Sequence, residues 1–124
     1  MRPQAFPKEY RLLRRSEFRQ VYEAGQRRSA PIGVIFYRPN GLSITRLGIT
    51  APTKLGGAVL RNRVKRRVRE AFRLHRLTIP AGWDIVVNPR GAMATVEFSK
   101  LVQELLRVFP HHAPAGPTEE ARPQ

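Results

Sequence analysis

Hydrophobic residues recur along this chain with two periods, one of 3.6 and one of 2, and they divide it into helical and extended segments. Phe18, Val21 and Tyr22 fall at helical spacing. Ser16 precedes them as a suitable N-cap and Gly25 follows as a residue able to end a helix in a left-handed conformation, so a short helix is expected over 16–24. The apolar run from Ile32 to Tyr37, the turn Pro39-Asn40-Gly41 and a second run from Leu42 to Ala51, with Ile44, Leu47 and Ile49, predict a β-hairpin that Pro52 ends. Trp83, Ile85 and Val87 alternate with Asp84, Val86 and Asn88, which predicts a strand over 83–88 between Gly82 and Pro89. Thr95 is expected to cap a last helix with the stripe Phe98, Leu101, Val102, Leu105 and Phe109, and Glu97 sits favourably in its first turn.

The segment from Ala58 to Arg76 holds no Gly or Pro. Leu60, Val64, Val68, Ala71, Phe72 and His75 share one face of a helix, which must pack on the sheet. At 100° per residue, Asn62, Arg66, Arg69 and Arg73 lie opposite that stripe; Arg61, Lys65 and Arg76 take one flank, Arg63 and Arg67 the other. Glu70 is the only acid among them. Like charges at i,i+4, such as Arg61/Lys65 and Lys65/Arg69, destabilise an isolated helix by a few tenths of a kcal/mol each. A merely solvated face would interleave Glu with Lys, and a membrane-lying helix would carry bulkier apolar residues with no sheet to cover. Arginine's planar fork suits phosphates and base edges. Before this helix, Lys54-Leu55-Gly56-Gly57-Ala58 offers either a close backbone approach to a phosphate or a loop needing a positive φ.

Charge strengthens this reading. The 124 residues, one domain's worth, include 23 Lys+Arg against 9 Asp+Glu, for a net charge of +14. Such self-repulsion disfavours a compact state unless a polyanion neutralises it, and nucleic acid is the expected partner. No run approaches a membrane-spanning length and Met1 to Tyr10 lacks a signal-like apolar core, so a cytoplasmic location without a membrane partner is expected. The absence of cysteine excludes disulfides and thiolate metal sites. Pro-containing ends suggest a flexible segment over 1–10, one RNA-binding domain over 11–109 and a disordered Pro-rich tail over 110–124, where His111 and His112 receive no role. A protein nuclease would need gathered His or carboxylate groups. Here His75 lies on the apolar stripe, Asp84 is the sole aspartate, and no catalytic or metal-binding side chain is assigned.

The unit from Lys54 to Arg73, with the triplet Arg61-Asn62-Arg63 followed by Lys65-Arg66 and Arg69, comes after the strand-like segment Arg46 to Thr53 and an early segment Ser16 to Gly25. Together these resemble the bacterial ribonuclease P protein subunit from about Arg11 to Phe109. The resemblance implies an α+β fold, an α/β sandwich with a mainly antiparallel sheet of about four strands, an unusual left-handed βαβ crossover and helices covering one face. It implies an accessory subunit whose catalytic RNA, using Mg²⁺, hydrolyses precursor tRNA to release the 5′ leader. By position, Phe18, Tyr22, Ile35, Tyr37, Arg46, Thr50, Lys54, Asn62, Arg66 and Arg69 become candidates for the leader groove, and Arg61, Arg63 and Lys65 for the catalytic RNA. Stacking on aromatic rings is worth about 1–3 kcal/mol per base and tolerates any base. The alternative for Phe18 and Tyr22, at i,i+4, is a place in the core, the weaker alternative for Tyr22, whose hydroxyl prefers a polar contact, and of Phe36 and Tyr37 one must face the core. Thr53 stands where the family often has a lysine. A ribosomal or other structural RNA-binding protein is the alternative, since electrostatics alone does not separate one folded RNA from another.

Overall fold

Along the strand β2 (Gly33–Pro39) buried and partly exposed side chains alternate, and this alternation separates two cores in the computed structural model, which describes residues 7–114. Ile35 and Tyr37 point to one face with Leu47, Ile85 and Val87; Phe36 points to the other with Val86. The strands β1 (Gln26–Ala30), β3 (Arg46–Ile49) and β4 (Trp83–Pro89) complete a sheet of order β1-β2-β4-β3. β1 and β4 pair antiparallel with β2, whereas β3 and β4 run parallel and are connected through a helix.

That helix, α2 (Ala58–Leu74), lays Val64, Val68, Ala71 and Phe72 on the first face, and α3 (Phe98–Val108) adds Leu101, Leu105 and Val108. Burial of each large apolar side chain contributes about 1.5–3 kcal/mol before the cost of ordering it. α1 (Arg15–Ala24) lies on the opposite face, where Val21 and Phe18 meet Leu12, Phe36 and Val86. Helices therefore cover both faces rather than one, because β4 is apolar on both sides: Val86 is as completely buried as Ile85 and Val87.

The expected hairpin between 32–37 and 42–51 does not form. β4 inserts between β2 and β3, and the hairpin partner of β2 is β1, a strand without apolar alternation whose only buried residue is Ala30. At α1 the N-cap is Arg14, not Ser16, and the Glu17 carboxylate accepts the backbone N–H groups of Leu13 and Arg14, each at 3.0 Å. Gly25 is extended (φ −91°), not left-handed; a Cβ there would meet the Val21 carbonyl oxygen at 2.4 Å, so close approach selects glycine. α2 stops at Leu74 and α3 is capped at Glu97, not Thr95. Lys8–Tyr10 form a 3-10 turn, and Tyr10 lies 4.5 Å from the Arg76 guanidinium. At the other end Trp83 Nε1 donates to the His112 carbonyl at 2.8 Å. The remainder of the ends, 1–6 and 115–124, lies outside the described residues.

Candidate nucleic-acid interface

α1 covers only part of its face of the sheet. Its N-terminal end is tied over β3 and β4 by Arg46, which donates to Asp84 through Nε and Nη2 (2.9 and 2.8 Å) and to Glu17 through Nη1 (3.2 Å). The Asp84 hydrogen bond is the first cause that raises the Arg46 pKa above its ordinary value. Burial opposes ionisation of Glu17, but the N–H groups of Arg14 and Leu13 and the Arg46 guanidinium outweigh it and hold its pKa low. Further along α1, the Tyr22 hydroxyl donates to Asn88 Oδ1 at 2.8 Å, and its ring meets Phe36 edge-to-face at 4.9 Å. The Thr50 hydroxyl donates to the same oxygen at 2.6 Å. Phe18 sits over Gly48, where an added Cβ would meet its ring at 2.7 Å.

Beyond Tyr22 the floor lies open. Val34, Thr50, Ala51, Pro52, Lys54, Asn88, Pro89 and Arg90 line a cavity of about 630 Å³. Its apolar and amide surfaces and two cations on the rim, with the Tyr22 ring next to them through its bond to Asn88, suit a flexible polyanion with stacking bases. Arg90 is oriented by a 2.9 Å bond from Nη1 to the Ala30 carbonyl.

α2 carries the second basic surface. Arg61 Nε donates to the Gly56 carbonyl at 3.2 Å and Arg63 Nε to the Ala94 carbonyl at 2.7 Å, so backbone oxygens on either side of the helix fix the direction of two guanidinium forks. Gly56 has a φ of 151°, so its conformation accounts for one glycine of the Gly-Gly loop. Arg67 bridges to the carbonyls of Met93 and Val96 and thereby docks α2 on the segment that follows β4. Burial first, and the charge of Arg63 second, push the Arg67 pKa down. Arg69 is lowered in the same way by burial and then by Arg11. Like charges held together in this manner are relieved when a phosphate arrives. Asn62 and Arg66 stand exposed on the outward face.

The structure thus brings Tyr22, Thr50 and Lys54 to one groove; Phe18 packs beside it in the second core, over Gly48, and Asn62, Arg66 and Arg69 lie on α2, which packs on the other face of the sheet. Two groove candidates are corrected. Ile35 and Tyr37 are 1% and 3% exposed in the core under α2 and α3, where the Tyr37 hydroxyl bonds Gln26 and its ring meets Trp83. Strand parity puts Val34 and Phe36 on the groove face instead. Arg46 reaches that face, but its guanidinium is committed to Asp84 and Glu17. Asn88 and Arg90 were not singled out from the chain. Asn88 had a signal, its alternation with Val87; Arg90 had none, since tertiary contact with β1 sets its place. Among the described residues no three His, Cys, Asp or Glu side chains converge as metal ligands. No helix there is long and apolar enough to cross a membrane.

Comparison with known proteins gives a consistent set. A family model, Ribonuclease P, matches residues 6–112. A ribonuclease P protein component from Caldanaerobacter subterraneus is 37% identical over 103 residues, covering 81% of this chain and 89% of the relative. One from Roseiflexus is 40% identical over 102 residues, covering 79% and 84%. Among solved structures, the RNase P protein from Thermotoga maritima superposes with a TM-score of 0.74 at 37% identity, covering 80% of this chain and 94% of that one. That from Staphylococcus aureus gives 0.72 at 32% identity, covering 80% and 91%.

Proposed function

Since the chain belongs to the ribonuclease P protein family, the accessory subunits of the ribonucleoprotein that matures the tRNA 5′ end, we propose that the groove beneath α1 holds the 5′ leader while α2 faces the catalytic RNA. The single observation that carries this division is the arrangement around Asn88. Tyr22, Phe36 and Thr50 converge there beside an open cavity, whereas Arg61 and Arg63 stand on α2, oriented by the carbonyls of Gly56 and Ala94 on either side of it. An open floor beside an aromatic pair suits unpaired bases, and a rigid array of guanidinium forks suits the phosphates of a folded RNA.

In this reading Phe18, Tyr22, Phe36 and Thr50 form the wall and floor of the groove, Lys54 and Arg90 its rim. Asn62, Arg66 and Arg69 bound it on the α2 side, and Arg61, Arg63 and Lys65 meet the RNA subunit. Residues 11–109 act as one RNA-binding unit in the cytoplasm. Mg²⁺ is held by the RNA, which performs the hydrolysis. The protein supplies counter-charge and a track that positions the leader, so the scissile bond is presented in register.

Two measurements test the proposal. Mixed with a bacterial ribonuclease P RNA at low Mg²⁺, the protein should restore 5′ cleavage of precursor tRNA. In that holoenzyme Tyr22→Ala should weaken precursor tRNA about tenfold or more and leave mature tRNA nearly unchanged, as expected for loss of one stacking platform. Equal losses for both RNAs would remove the leader from this groove.

A further inference from the structure

The sheet register extends the groove past the cavity. Arg27 of β1 is the cross-strand partner of Phe36, and Ser29 is the partner of Val34. Side chains opposite one another on paired strands share a face. Arg27 therefore stands beside the Phe36 ring, and Ser29 beside the cavity wall. Arg28 points to the other face, 5.8 Å over the Tyr37 ring. The outer rim is completed by Arg90, pinned to the carbonyl of Ala30 at the end of the same strand. Arg27 is exposed, and no ion pair engages it among the described residues.

We propose that β1 is the exit of the leader groove, and that Arg27 there takes a backbone phosphate of leader nucleotides that have passed the Tyr22–Phe36 pair. This rests on the reading that the leader occupies the groove. From β3 to β1 the floor spans three strand spacings, about 14 Å, so a short leader ends over β3 and β4 while a longer one must cross β1. Crossing at that edge is favoured by charge complementarity: the strand presents a cation and a hydroxyl on this face, Arg90 adds a second cation where it bonds the Ala30 carbonyl, and no acid among the described residues is bonded to Arg27. The sequence alternative is that Arg27 and Arg28 merely protect an open sheet edge against pairing. That role makes the two arginines equivalent toward RNA, whereas the exit role makes them different.

The test uses the reconstituted holoenzyme and a series of precursor tRNAs with stepwise shortened leaders. Wild-type affinity should rise with leader length to a plateau. Arg27→Ala should match wild type on the shortest leaders and fall about fivefold to tenfold behind on the longest, with a log–log salt slope smaller by about 0.7. Arg28→Ala should follow wild type throughout. A loss for Arg27→Ala that is the same at every length, no loss at all, or an equal effect of Arg28→Ala overturns the exit. Tyr22→Ala separates the two levels. If it abolishes the preference for precursor while Arg27→Ala overlays wild type, the groove stands and only its extension fails; if it leaves that preference intact, both fall.

Discussion

Replacing Asp84 with Asn probes the knot that sets α1 over the sheet. The Asp84 side chain is 2% exposed and accepts two hydrogen bonds from Arg46 and one from Asn40 Nδ2 at 2.9 Å. Asn preserves the volume but presents an amide donor where one carboxylate oxygen received Arg46, and the guanidinium loses the buried one of its two counter-charges. Removing one partner of a buried pair costs about 3–5 kcal/mol. Arg46 keeps Glu17 and is itself 22% exposed, so water and the remaining carboxylate reduce the expected loss to about 2–3 kcal/mol. In urea, with a slope of about 1–3 kcal/mol/M, this corresponds to a midpoint lowered by roughly 0.7–3 M at constant salt. Adding Arg46→Met removes the stranded cation, so the double variant should be more stable than the sum of the single losses predicts by about 1 kcal/mol or more. A midpoint shift below about 0.3 M, or strict additivity, would refute the claim that this pair fixes α1.

The pH dependence of stability follows from Glu17. Its pKa in the folded chain lies below the ordinary 4.5, so the unfolded chain binds the proton first. The stabilisation is fully present above that ordinary value and is lost as pH falls through the folded one. Acid titration of stability should therefore be shallower in Glu17→Gln, though not flat, because Glu70 and Glu104 are lowered in the same direction. Gly48→Ala places a methyl group against the Phe18 ring and Leu12; we expect a loss of about 1–3 kcal/mol in thermal or urea unfolding, and unchanged stability would mean that α1 is not packed as described. Arg66→Ala should lower the magnitude of the log–log salt slope of RNA binding by about 0.7–1, and an unaltered slope removes Arg66 from the contact surface.

Periodicity alone located α2, its buried stripe and the strand beginning at Trp83. Each is long or strongly patterned, and each buries its own apolar face whatever its neighbours. The basic surface was legible for the same reason: charge of one sign on one helix is a property of spacing, and the Arg61-Asn62-Arg63 region needs no tertiary contact to be recognised. Strand order was different. Alternation in 32–37 and 42–51 fits a hairpin as well as it fits two strands separated by β4, and only the packing of a strand apolar on both faces decides between them. β1 left no trace, because an exposed edge strand is held by backbone bonds to β2 and not by buried side chains. The same ambiguity misplaced Ile35 and Tyr37. A period of 2 says that Phe36 and Tyr37 part company, but which of them meets α1 depends on where α1 docks. That in turn is set by Glu17, Arg46 and Asp84, three residues far apart in the chain that the folded sheet brings within hydrogen-bonding distance.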